Sequence, residues 1–225
     1  IDYGIAFIGC GGIVNYGQIP AYKASGFHMI GGYDINPAAA EQTVRAHGLE
    51  KAYRSLDELL LDPRVHIVDI AVMPWVQKDI VSKAVEAEKH MLCQKPFSDK
   101  YSEAVEMTNL AKQAGLKIAV HQQFRWSSII QATRALMLEG WLGDVRDVQV
   151  QVSIHTPWDM WPWLASQPRL EVLYHSIHYL DSLRFLFGDP TLVTSRHTKH
   201  PAQLARGETK TVTVCDYPNG LQLLI

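Results

Sequence analysis

The residues best suited to chemistry in this sequence are a lysine in a turn and a group of side chains on one amphipathic helix. Lys95 follows the apolar run His90-Met91-Leu92-Cys93 and precedes a proline in Gln94-Lys95-Pro96. A lysine where a buried strand becomes a loop can be partly desolvated, and its ammonium can polarise a hydroxyl or carbonyl oxygen. Read alone, the same lysine is an ordinary solvated cation. Farther on, Leu173, Ile177, Leu180, Leu183 and Phe187 make one apolar stripe along Leu170–Phe187, and Glu171, Tyr174, His175, His178 and Asp181 fall on the opposite arc. Three readings of the arc stay open: a histidine base with orienting partners, a metal site from Glu171, His175 and His178, or a wet helix face.

A glycine-rich loop, Gly9-Cys10-Gly11-Gly12-Ile13-Val14, follows the first apolar run and opens the first helical one. Gly9 and Gly11 supply the tight turn and bare backbone that a pyrophosphate needs, and Gly12 and Ile13 carry it into the helix N-terminus. Val14 occupies the third fingerprint position, where Gly or Ala is usual. Asp34 ends the second strand, where a carboxylate can accept hydrogen bonds from an adenosine ribose. Ile35 and Asn36 follow it, with no arginine for a 2′-phosphate, so NAD is expected over NADP. The plainer alternative is an ordinary strand–helix turn with a surface aspartate.

The elements that must position these residues alternate through the first half. Strands are expected at Tyr3–Ile8, His28–Tyr33, Ile67–Val72, His90–Cys93 and Lys117–His121. Helices are expected at Ile13–Ser25, Pro37–His47, Ser55–Leu61, Trp75–Ala87 and Ser102–Ala114. Ser55 with Glu58 makes a capping box, and Gly115 closes the last helix. This alternation implies a doubly wound parallel sheet, the Rossmann arrangement. After a boundary near His121–Arg125 the pattern changes. A helix over Ile129–Glu139 is followed by Asp144–Ile154, where Val148, Val150, Val152 and Ile154 alternate with polar residues, as in an antiparallel sheet. Lys210–Cys215 and Leu221–Ile225 repeat that style. The expected organisation is α/β, with a Rossmann domain over 1–121 and a C-terminal α+β domain over 122–225 built on an open, largely antiparallel sheet. The start at Ile1 without a methionine and the stop inside a strand suggest a missing N-terminus and an incomplete second domain.

Composition narrows the function classes. A net charge of -2 gives no footprint for nucleic acid, and no apolar run has the length of a membrane span. Three cysteines without paired spacing argue against a disulfide framework or structural zinc, and for a cytoplasmic setting.

Taken in order, these motifs resemble the glucose–fructose oxidoreductase/inositol dehydrogenase/MocA family. The resemblance runs through Gly9–Gly12, Asp34, Val72-Met73-Pro74, Gln94-Lys95-Pro96, Gly140–Val148, His178-Tyr179-Leu180-Asp181 and Gly188-Asp189-Pro190. It implies an NAD(P)-dependent dehydrogenase or reductase of a sugar, cyclitol or related small molecule, and a homo-oligomer (dimer or tetramer) formed through the open sheet; no metal is expected. It also implies that Lys95 polarises the reacting oxygen and that His178 is the general acid/base. Pro74, Gln94 and Arg125 match positions near the cofactor; for Arg125 an interdomain salt bridge is the alternative.

Several positions depart from the family pattern. Gln94 replaces the usual glutamate, Tyr174 stands where an aspartate precedes the histidine, and Ser176 replaces a glycine. Trp75 replaces an asparagine, and Lys78 stands where a histidine is common. Tyr174 or His175 is then a candidate proton relay. Trp161, Trp163 and His175 are candidate substrate contacts, since Trp faces suit sugar rings. A dinucleotide-binding regulator or pseudoenzyme, and an NAD-dependent glycosidase of the same fold, remain alternatives.

Overall fold

The computed structural model describes residues 3–225; Ile1 and Asp2, with which the expected first domain opens, lie outside the described residues. Two compact units divide the chain after His121.

In the first unit, strands and helices alternate as β1 (Gly4–Ile8), α1 (Ile19–Ala24), β2 (Met29–Tyr33), α2 (Pro37–His47), β3 (Lys51–Ala52) and α3 (Leu56–Leu60). The unit continues with β4 (Val65–Ile70), α4 (Pro74–Glu86), β5 (His90–Cys93), α5 (Tyr101–Gln113) and β6 (Ile118–Val120). The strands lie in the order β3-β2-β1-β4-β5-β6, every pair parallel. All five residues of β1 are buried, as a central strand covered on both faces requires. Ala6, Ile8, Val68, Ile70 and Met91 pack with Val81, Ala84, Met107 and Ala111 from α4 and α5. Phe7 meets Val14 and Ile19 in a smaller cluster.

The first helix departs from expectation. A π-helical turn, Val14–Gln18, precedes α1, and the Ile19 N–H reaches back to the Val14 carbonyl. Pro20 supplies the reason: it has no N–H for the usual bond, and its ring crowds the carbonyl four residues earlier, so a wider turn is tolerated there. The turn also carries Gln18 into the interior. There Gln18 and Tyr22 donate to the two oxygens of Asp69 on β4, at 3.0 and 2.5 Å. Burial pushes the Asp69 carboxyl up to about 7 against the lowering effect of these bonds. The capping box at α3 is present in modified form: Ser55 Oγ accepts from Glu58 N–H, while Glu58 accepts from Arg54 N–H rather than from Ser55.

The second unit contains α6 (Ser128–Leu138), β7 (Asp147–Gln149), α7 (Pro162–Ala165), α8 (Ile177–Phe187), β8 (Leu192–Thr198), β9 (Lys210–Asp216) and β10 (Gln222–Leu224). Its sheet is mixed and mostly antiparallel, in the order β7-β10-β9-β8. Cys215 and Leu223 face Leu183 and Phe187 of α8, while Val212 and Leu224 point to the open side. The expected strand Asp144–Ile154 is corrected to three residues, and its neighbour β10 runs parallel to it. Its alternation has the strand period, but a ladder extends only as far as its partner. The last bond is from Val150 N–H to the Leu224 carbonyl, and Val152 and Ile154 are exposed. Strand β8, not expected from sequence, is an exposed edge whose polar residues hide its period.

Candidate functional site

All strands of the first sheet end on one edge, and the glycine loop, Asp34, Pro74 and Lys95 follow those ends. Gly9 leaves β1 at φ 94°, and a Cβ there would lie 2.5 Å from the Ala71 carbonyl oxygen, so only glycine fits. At Gly11 a Cβ would meet nothing within 4 Å, which leaves open space before the loop. Gly12 and Ile13 are exposed at the start of the helix, where the first N–H groups have no acceptor within the helix. Buried Val14 fills the third fingerprint position and begins the π turn. Asn15, which sequence reasoning missed, ties the loop by donating to the Cys10 and Gly11 carbonyls, both at 2.9 Å.

Asp34 ends β2 as expected, and its carboxylate is already at work. One oxygen accepts from Cys10 N–H at 2.7 Å and the other from Asn36 N–H at 2.8 Å. A carboxylate offers about four acceptor positions, so room remains for ligand hydroxyls. The bare backbone, the open space and the remaining acceptor capacity fit a dinucleotide. Pro74 is buried at the first position of α4.

After β5 the chain turns through a cis Lys95–Pro96 peptide. The Lys95 side chain is half-buried, and burial pulls its ammonium down to about 8. Gln94 folds back so that its Oε1 accepts from the Lys95 N–H at 2.9 Å, a bond a glutamate in its place could equally accept. Lys78 pairs with Glu106 at the surface. Its neighbour Gln77 is the residue that reaches the lysine turn, donating to the Gln94 and Pro96 carbonyls. The sequence signal for Gln77 was faint: a single amide on the buried stripe of a helix.

In the second unit, a π-helical turn, Val172–Ser176, leads into α8. The regular helical wheel therefore fails across it, and the expected polar arc is not a uniform wet face. His178, Ser176 and Ser182 are buried. The His178 ring stacks on Phe124 at 4.8 Å, and its Nδ1 is enclosed. Glu171 accepts from Ser176 and Thr211 hydroxyls and contacts His175 Nδ1 at 3.3 Å. Burial would raise its carboxyl, but these partners outweigh it and hold the group below the usual value. Those commitments, and the turn of His178 toward Phe124, disperse the three-residue metal arrangement. Among the described residues no cluster of three or more His, Cys, Asp or Glu side chains is placed to hold a metal.

Tyr174 packs its ring edge-on to Trp163 at 5.8 Å. Arg125 holds Asp181 with two bonds of 2.6 Å, so the interdomain salt bridge is corrected to a pair within the second unit. A cavity of about 760 Å³ opens beside α8, lined by Gln151, Trp158, Glu171, His175, Tyr179 and Thr211 among others. Trp161, Trp163 and His178 are not in its wall.

A parallel sheet in this strand order, with a bare glycine turn at the switch between β1 and β4 and an acidic residue closing β2, defines a dinucleotide-binding Rossmann unit. The chain belongs to the GFO/IDH/MocA oxidoreductase family: residues 3–122 match its NAD-binding Rossmann fold and residues 130–225 its C-terminal domain. It is 29% identical over 224 residues to a D-apiose dehydrogenase of Rhizobium rhizogenes, covering 98% of this chain and 64% of that protein. It is 25% identical over 219 residues to glucose-6-phosphate 3-dehydrogenase of Bacillus subtilis, covering 95% of this chain and 62% of the relative. An Agrobacterium radiobacter oxidoreductase, crystallised with NAD+, L-tartaric acid and magnesium, superposes with a TM-score of 0.91 at 27% identity. That match covers 100% of this chain and 66% of the crystallised one. The chain thus spans less than two thirds of the length of these relatives. No described helix is long and apolar enough to cross a membrane.

Proposed function

We propose that the chain serves an NAD-dependent dehydrogenase or reductase acting on a hydroxyl or carbonyl of a sugar-like molecule. The observation that carries this reading is Lys95: a half-buried ammonium, lowered to about 8, on the same sheet edge as the glycine loop. Backbone N–H groups of Gly11, Gly12 and Ile13 hold the dinucleotide phosphates, and Asp34 holds the ribose. Pro74, Gln94 and Arg125 are proposed as lesser cofactor contacts. Bound NAD supplies the hydride acceptor or donor. Lys95 stabilises negative charge developing on the substrate oxygen, and His178 takes or returns the hydroxyl proton.

The substrate proposed is polyhydroxylated, and the Glu171–His175 contact makes His175, beside Tyr174, a candidate relay. Relatives named for apiose and glucose 6-phosphate support this class. A homo-oligomer formed through the open sheet face and a cytoplasmic setting complete the proposal.

A dinucleotide-binding regulator is the second reading, favoured by the burial of His178 against Phe124. Turnover separates the two. A panel of polyols, aldoses and sugar acids, followed at the NADH absorbance, is expected to give activity that Lys95→Met and His178→Gln each abolish. NADH binding without any turnover would favour the regulator.

A further inference from the structure

We infer that Gln77 is a positioning residue that clamps the turn bearing Lys95. Pro74, Gln77, Val81 and Ala84 form the buried stripe of α4, and Gln77 is the one polar side chain on it, with no exposed surface. A hydrophobic residue would satisfy the packing of such a stripe. The amide instead directs Nε2 at two carbonyl oxygens, Gln94 O at 2.9 Å and Pro96 O at 3.0 Å. These carbonyls flank Lys95 on both sides. The opposite amide orientation would set Oε1 against two acceptors, so the carbonyls themselves fix which way the group faces. Oε1 is buried with no hydrogen-bond partner among the described residues. Gln77 thus leaves one polar atom unmatched while both of its donors serve the lysine turn.

The Gln94 side chain adds a third restraint by accepting from the Lys95 N–H. The backbone at 94–96 is thereby held from the helix and from within the turn, and the path of the Lys95 side chain follows from that frame. Without the clamp, the two carbonyls would turn toward water and carry the lysine with them. The ammonium would become better solvated and recover an ordinary proton affinity.

This inference rests on the reading of Lys95 given above, and its test uses a readout that needs no substrate. Lysines are labelled by reductive 13C-methylation and the Lys95 resonance is assigned by its loss in Lys95→Arg. Wild type is expected to titrate near 8. Gln77→Met, which keeps the shape and removes both donors, is expected to move the midpoint toward the ordinary lysine value of about 10.4. Gln77→His, with one ring donor, is expected to fall between. Turnover by Gln77→Met is expected to drop about tenfold or more in kcat with little change in KM. An unchanged Lys95 midpoint in a folded Gln77→Met protein overturns the clamp while leaving the role of Lys95 standing. An ordinary midpoint in the wild type removes the reading of Lys95 and the clamp with it. Loss of the fold in both variants would make Gln77 a general packing residue and likewise overturn the inference.

Discussion

The Asp34 carboxylate accepts the backbone N–H of Cys10 at 2.7 Å, so the side chain expected at the ribose also shapes the glycine loop. The two roles can be separated. Asp34→Asn retains an acceptor for Cys10 but loses the charge and the bond to Asn36 N–H, and NADH affinity is expected to fall about ten- to a hundredfold with the fold intact. Asp34→Ala removes both, and a lower melting temperature is expected as well. Calorimetric titration beside thermal unfolding measures the difference.

Burial lowers Lys95 to about 8, well below an unfolded lysine. The folded protein therefore holds this proton less tightly than the unfolded chain. Its destabilising effect is fully present below pH 8 and fades as pH rises toward the unfolded value. Lys95→Met is expected to raise stability at pH 7 by on the order of 2 kcal/mol while abolishing turnover, with the gain shrinking above pH 8. Urea unfolding at pH 7 and pH 9.5 reads both.

Asp69 shows the opposite sign. Its folded value of about 7 lies above the unfolded one, so the stability it contributes is greatest in acid and is lost as pH climbs through 7. Asp69→Asn resembles the protonated form, and the Tyr22 hydroxyl can turn to accept from the new amide. The variant is expected to be more stable than wild type above pH 7, with the difference closing toward pH 4. A stability difference that does not vary with pH would contradict the assignment.

Arg125 and Asp181 meet through two parallel bonds of 2.6 Å, a geometry lysine cannot reproduce. Arg125→Lys is expected to destabilise the second unit by about 1–2 kcal/mol. Asp181→Asn should have a similar effect, and the double variant should cost less than the sum of the two. A double-mutant cycle by chemical denaturation tests this.

What the sequence made readable followed physical regularity. Buried parallel strands are apolar runs separated by helices, so β1, β2, β4 and β5 and the glycine loop stood out. Both π turns escaped detection because a wheel at fixed period cannot register a widened turn. The one before α8 therefore hid the burial of His178. Strand β7 was overextended because alternation marks a possible strand but not the length of its partner. Gln77 escaped because one glutamine on a helix reads as solvated surface until its two acceptors, 17 and 19 residues away, are in place.

NADH fluorescence titration of wild type beside Gly9→Ala tests dinucleotide binding at the glycine loop. A Cβ at position 9 has no room beside the Ala71 carbonyl and strains a φ of 94°. Saturable NADH binding by the wild type, lost in Gly9→Ala, is the expected result. No binding by the folded wild type, or equal binding by both proteins, would contradict it.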